Sequence, residues 1–228
     1  MLYKNKSSIA YGLFKNENFP DSIVSYLDVQ SKIIASILVN YKGLLEVGCG
    51  KAENLPIAVQ CGVSYLGVDP VLDYVSDSLS LCEKENAQVV VGYAENIKQI
   101  IADYNVYDFL LLYPFNCIGN MENYIEVCKA LTSTNSDYII FSYSIDEPSV
   151  SERIKYYSSC ELGDLRVIHN SSDIQIISSE GLSSRAFAPS HLKEALGASC
   201  NIYSFANIGL LYTNLNLDPI PKEIVRIQ

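Results

Sequence analysis

Histidine is scarce in this chain, with two among 228 residues, and no pair of its seven cysteines has CxxC spacing. Structural zinc needs Cys and His at short, regular spacings, and a disulfide framework needs paired cysteines. The odd set of Cys49, Cys61, Cys82, Cys117, Cys128, Cys160 and Cys200 argues against both. No metal is expected, and the cysteines read as small buried hydrophobes. No apolar run approaches the ~20 residues that span a bilayer. The opening stretch, MLYKNKSSIAYGLF, lacks the apolar core and small-residue cleavage site of a signal peptide, so a cytoplasmic protein is expected. Basic residues are outnumbered, 16 against 26 acids, and they are scattered. Nucleic-acid binders carry a basic footprint, so neither nucleic acid nor an acidic membrane surface is an expected partner.

What is present is apolar material for a core, 49 % of the residues, in a length that suits one domain over 1–228. Ile23, Tyr26, Leu27, Ile33, Ile34, Ile37 and Leu38 recur at helical spacing and predict an amphipathic helix over 22–39, capped by Asp21 or Ser22 after Pro20. Strands are then predicted over 43–47, 65–68, 88–91, 107–113 and 137–143. Helices are predicted between them over 54–61, 73–86, 97–104 and 121–131. That alternation implies βαβ units and a parallel sheet with helices on both faces. After Tyr143 the rhythm changes. Runs 165–169 and 174–177 flank Asn170-Ser171-Ser172-Asp173 and predict a hairpin; a helix over 190–196 and a pair of strands over 200–205 and 209–212 follow. The chain thus divides into an N-terminal lid (1–40), a cofactor-binding core (41–145), a substrate-side insertion (146–188) and a C-terminal helix with a strand pair (189–228).

Gly48-Cys49-Gly50 ends the first strand, where a parallel sheet binds ligands. In the dinucleotide pattern GxGxxG the third glycine position is occupied here by Glu53, which would repel a pyrophosphate. Glu46, inside the strand, suits a ligand with a cationic amino group. Asp69, at the end of strand two, can accept both hydroxyls of a ribose.

Glu46-Val47-Gly48-Cys49-Gly50 followed by Tyr65-Leu66-Gly67-Val68-Asp69 resembles the first two motifs of class I S-adenosylmethionine-dependent methyltransferases. Val91-Gly92-Tyr93-Ala94-Glu95-Asn96-Ile97 resembles the third motif, and Tyr107-Asp108-Phe109-Leu110-Leu111-Leu112 the fourth. The resemblance covers roughly residues 10–145 and the final strand pair. It implies a Rossmann-like, doubly wound α/β fold with a seven-stranded, mostly parallel sheet, one reversed C-terminal strand and a small lid or hairpin insertion after strand five. It implies S-adenosylmethionine as cofactor and S-adenosylhomocysteine as product. By the same resemblance Gly48, Cys49 and Gly50 pass the methionine part, Glu46 sits near its amino group, and Asp69 holds the ribose. Pro70 lies against the adenine, Ala94 and Glu95 flank its edge, and Leu112 and Tyr113 run beneath the methionyl portion. Ala52 stands for a frequent glycine, and Tyr93 for the usual acid of the third motif.

The acceptor is expected to be a small metabolite, an amino acid or a peptide, methylated on nitrogen or oxygen. Asn116, in the loop after strand four, is a candidate to orient it, with Tyr113 and Tyr11 as the other candidate catalytic residues. Tyr11, Phe14, Phe115, Asn116, Asn120, Tyr143, His169 and Arg185 are the candidate substrate contacts, Arg185 as partner to a carboxylate. His169, Glu180, Asp146 and Tyr143 are candidate bases. Two competing readings are a methyltransferase-like binding module without catalysis and a nicotinamide oxidoreductase, which Glu53 disfavours.

Overall fold

Five apolar runs become the parallel half of one sheet, four of them almost wholly buried and the fifth, over 88–91, forming its partly exposed edge. In the computed structural model, which describes residues 13, 16–85, 87–217 and 224–227, these strands are β1 (Gly43–Val47), β2 (Ser64–Asp69), β3 (Gln88–Val91), β4 (Phe109–Tyr113) and β5 (Tyr138–Tyr143). They pair in parallel in the order β3-β2-β1-β4-β5. Beyond β5, β10 (Gly209–Thr213) runs antiparallel and is followed by β9 (Asn201–Phe205), which returns to the parallel sense. This is the reversed C-terminal strand that the sequence predicts. The sheet has eight strands rather than seven, because β11 (Ile224–Ile227) pairs antiparallel with β9 at the edge.

Helices cover both faces. α1 (Asp21–Leu38), α2 (Leu55–Cys61), α3 (Leu72–Lys84) and α6 (Glu147–Ser159) contribute to a core shared with Leu44, Leu110, Leu112, Ile139 and Phe141. α4 (Ile97–Tyr104), α5 (Tyr124–Thr132) and α7 (Pro189–Leu196) cover the opposite face with Leu45, Val47, Leu111, Tyr113 and Ile140. α2 stops where Gly62 turns left-handed at φ 69°, as the glycine after its last residue predicts. α1 departs from expectation at its start. Pro20 occupies the cap position and offers no side-chain hydrogen bond; its carbonyl accepts from the amides of Ile23 and Val24. Asp21 is the first helical residue, and the hydroxyl of Ser22 donates to Glu152 on α6 at 2.6 Å.

The insertion is larger than a hairpin. β6 (Arg166–His169), β7 (Asp173–Ile177) and β8 (Ser183–Phe187) form a separate antiparallel sheet, preceded by α6, which the sequence reading leaves without an element. Among the described residues no helix is long and apolar enough to cross a membrane.

Candidate functional site

The carboxyl ends of the parallel strands open onto a cavity of about 380 Å³. The loop from β1 forms its floor. Gly48 and Gly50 adopt φ of 74° and 52°, a backbone region that glycine enters without steric cost. The amides of Gly48 and Cys49 both donate to the Val68 carbonyl, so the loop folds back over β2. Ala52 is also left-handed, at φ 61°, where the frequent glycine of the motif is replaced.

Three carboxylates line one arm of this cavity: Glu46, Glu53 and Asp69. No Lys, Arg or His side chain among the described residues joins them in the lining. Glu46 is 1 % exposed. Its two oxygens accept from the Asn54 amide and the Tyr65 hydroxyl, each at 2.6 Å. Burial pushes its carboxyl up to about 7, against the pull of those two donors. Asp69 accepts from the amides of Gly50 at 3.0 Å and Val71 at 2.8 Å. Burial raises its pKa, and these amide bonds oppose the rise. A carboxylate has about four acceptor sites, so Asp69 keeps lone pairs for a diol while its orientation is fixed from behind. Pro70 and Val71 continue this wall.

The other arm is aromatic. Phe115 packs against Phe19, Tyr143 and Tyr156 with centroid distances of 6.3, 5.9 and 5.8 Å, and Tyr157 stands beside Tyr156 at 5.1 Å. The phenols of Tyr156 and Tyr157 donate to the Leu13 carbonyl and the Ser184 hydroxyl. Tyr143 is buried, and its hydroxyl has no hydrogen-bond partner among the described residues. The Arg153 guanidinium lies 5.2 Å from its ring centroid, fully buried behind the wall and bonded to the carbonyls of Ile174 and Ser184.

The structure gathers Glu46, Gly48, Cys49, Gly50, Asp69, Pro70, Phe115, Asn116, Asn120 and Tyr143 around one cavity. Others it turns elsewhere. Glu46 pairs with Leu112 in register, so Tyr113, one residue on, faces the opposite side of the sheet and packs between β4 and α5. Tyr113 is therefore a core residue, not a catalytic one, and Leu112 is buried beneath the site without lining it. Ala94 packs into the same second core, and neither it nor Glu95 borders the cavity. Arg185 stacks its guanidinium 5.7 Å from the Tyr124 ring and donates to the carbonyls of Met121 and Glu122, so it does not meet a carboxylate in the cavity. Of the four candidate bases, three lie outside the lining. His169 is exposed on the hairpin, Glu180 accepts from the Gly163 amide, and Asp146 caps α6 by accepting from Ser149. Tyr143 alone borders the cavity, and burial pushes its pKa upward, against service as a base. Tyr11 and Phe14 lie outside the described residues; Leu13, between them, borders the cavity.

Asn116 reaches the wall but its amide is occupied by the protein. Its Nδ2 donates to the Ser184 hydroxyl and the Arg185 carbonyl at 3.1 Å, and its Oδ1 accepts from the Ser142 hydroxyl at 2.9 Å. It ties the loop after β4 to β5 and β8. Sequence reasoning misses Asn54, Tyr65 and Gln30. Gln30 had a signal: it is the one polar side chain on the buried stripe of α1.

No protein-family model and no curated protein matches the chain. Solved structures do. A protein from Pyrococcus horikoshii OT3 superposes with a TM-score of 0.63 at 13 % identity, over 90 % of this chain and 97 % of its own. The 1,6-didemethyltoxoflavin-N1-methyltransferase of Burkholderia thailandensis, crystallised with 1,6-didemethyltoxoflavin and S-adenosylhomocysteine, gives 0.54 at 13 % identity over 85 % and 84 %. An S-adenosylmethionine-dependent methyltransferase from Clostridium acetobutylicum gives 0.51 at 12 % identity over 87 % and 91 %. At these identities the likeness is one of fold, and the fold is that of the class I S-adenosylmethionine-dependent methyltransferases.

Proposed function

We propose that the chain transfers the methyl group of S-adenosylmethionine to a nitrogen or oxygen of a small acceptor and releases S-adenosylhomocysteine. The observation that carries this reading is the charge of the cavity. Glu46, Glu53 and Asp69 line it, and among the described residues no basic side chain joins them in the lining; the charge nearest to offset them is Lys51, beside Glu53. A ligand bearing an ammonium, a sulfonium and a ribose fits that field; a pyrophosphate is repelled by it. This disfavours the nicotinamide reading. The methyltransferases of similar fold, among them one named for a small-molecule substrate, support the methyl-transfer reading.

The residues divide the work. Glu46, held by Asn54 and Tyr65, faces the amino group. Asp69, held by Gly50 and Val71, receives the ribose hydroxyls. The glycine turn admits the methionyl chain close to the backbone. When bound, the cofactor would supply a methyl already activated on sulfur, with the sulfide as its leaving group. The protein then has mainly to hold acceptor and methyl in line, an effect that supplies up to ~7–11 kcal/mol. The aromatic arm performs that holding and excludes water.

The test is a thermal-shift comparison. S-adenosylhomocysteine is expected to raise the melting temperature in a concentration-dependent way, since it binds only the folded state. NAD is expected to leave it unchanged. The reverse pattern contradicts the reading.

A further inference from the structure

Three features of the acceptor arm restrict what enters it. Its wall is a set of rings: Phe19, Phe115, Tyr143, Tyr156 and Tyr157. It contains no charged side chain among the described residues; the carboxylates lie in the other arm, and Arg185 is turned onto Tyr124. Its polar atoms are mostly taken, because Asn116, Tyr156 and Tyr157 bond within the protein.

The Tyr143 hydroxyl, itself buried, and Gln30 are the exceptions, and of the two only Gln30 presents a polar atom that opens to the cavity. Gln30 is 3 % exposed, stands on the apolar face of α1 and borders the cavity. Its Oε1 accepts from the Phe115 amide at 2.8 Å. An amide N–H can only donate, so this bond fixes which end of the side chain is oxygen. Nε2 is thereby left as a donor with no protein partner among the described residues, beside the ring wall. That donor is not fully buried: it opens to the cavity, where the acceptor atom of a ligand can take the place of water.

We infer that the methyl acceptor is an uncharged planar heteroaromatic compound whose ring nitrogen or carbonyl oxygen accepts from Gln30 Nε2 while its plane lies against the ring wall. This rests on the methyltransferase reading and narrows it. The charged alternatives fail on chemistry. A carboxylate finds no cation in the arm among the described residues. A protonated amine is attracted to ring faces, but it has no lone pair to attack with, and among the described residues no carboxylate or histidine of the arm takes its proton. A pyridine-type ring nitrogen carries its lone pair already, and the N–H of a heterocyclic lactam or imide is acidic enough to give its proton to water as the methyl is transferred, which an alkylammonium near the lysine range is not. Gln30 then acts as a specificity residue, choosing among flat molecules by the position of an acceptor atom.

The experiment measures binding of five probes to protein saturated with S-adenosylhomocysteine: xanthine, lumazine, phenylalanine, phenethylamine and naphthalene. Xanthine and lumazine are expected to bind at least about tenfold more tightly than the other three. Gln30→Glu keeps an acceptor for the Phe115 amide and removes the donor. It is expected to weaken xanthine and lumazine about three- to tenfold or more and to leave S-adenosylhomocysteine affinity unchanged. Gln30→Met, which removes the donor without adding charge, is expected to weaken the same two probes. Preference for phenylalanine, phenethylamine or naphthalene overturns the inference, as does binding of neither heterocycle or indifference to both substitutions. If S-adenosylhomocysteine binds and the heterocycles do not, the inference alone fails. If S-adenosylhomocysteine does not bind, the methyltransferase reading fails with it.

Discussion

The hydroxyl of Tyr65 on β2 donates to the carboxylate of Glu46 on β1 at 2.6 Å. It crosses the space above Gly67, which pairs directly with Glu46 in the register. A Cβ at Gly67 would meet the Cys49 sulfur at 2.8 Å and the Tyr65 oxygen at 3.0 Å. The glycine of the second motif therefore serves the carboxylate of the first. Gly67→Ala is expected to cost about 1–3 kcal/mol of stability through overpacking and to weaken cofactor binding at the same time. Chemical denaturation and a titration of S-adenosylhomocysteine check both effects. Full stability with unchanged affinity would show that the Glu46–Tyr65 contact does not depend on this gap.

Glu46 carries a pH signature. Its ordinary pKa near 4.5 is pushed up to about 7 by burial in the ligand-free protein. The folded state then binds a proton that the unfolded state has released, so the contribution of Glu46 to stability falls as pH rises from about 4.5 to about 7 and is level above. The full span is at most about 3 kcal/mol. Denaturation at pH 5 and pH 8 is expected to show a larger loss in the native protein than in Glu46→Gln. Cofactor binding runs the other way. An ammonium group needs the ionised carboxylate, so affinity is expected to fall up to about tenfold per pH unit below 7, and Glu46→Gln is expected to flatten that profile.

Asp69→Ala removes the acceptor of the ribose hydroxyls. It is expected to weaken S-adenosylhomocysteine by roughly 1.5–3 kcal/mol, the range of hydrogen bonds to charged groups. Calorimetry measures the loss, and S-methylmethionine, which has no ribose, provides the control. An equal loss for both ligands would mean that Asp69 acts only by holding the amides of Gly50 and Val71.

Asn116→Ala opens the junction of the β4 loop, β5 and β8, leaving buried partners such as the Ser142 hydroxyl and Arg185 carbonyl unsatisfied. Stability is expected to drop by roughly 2–4 kcal/mol, at about 1–3 kcal/mol for each stranded buried group. Cofactor affinity is expected to change little, and acceptor turnover to fall as the aromatic arm loosens. Unchanged stability with abolished turnover would instead return Asn116 to a direct chemical role.

These expectations show where the sequence is informative. The parallel half of the sheet is legible because β1 to β5 are short apolar runs separated by helical periods. The carboxylates and the glycine turn are legible because burying acids beside glycines has few purely structural explanations. Side-chain parity is not: in FLLLY every residue suits burial, and only pairing of Glu46 with Leu112 reveals that Tyr113 faces away. α6 escapes notice because its buried face mixes Val150, Tyr156 and Tyr157 with Ser149 and Arg153, which blurs the apolar period. β8 reads as SSRAF, too polar to announce a strand, and is held by its register with β7. The role of Arg185 depends on that same register and has no signature in the sequence.

The most direct test is a calorimetric titration of S-adenosylmethionine and S-adenosylhomocysteine into the purified protein at pH 8. Micromolar binding of both at one site per chain, weakened by Asp69→Ala, is the expected result. Absence of heat for either ligand, at protein concentrations where micromolar affinity is measurable, would contradict the assignment of the acidic arm to a methyl donor.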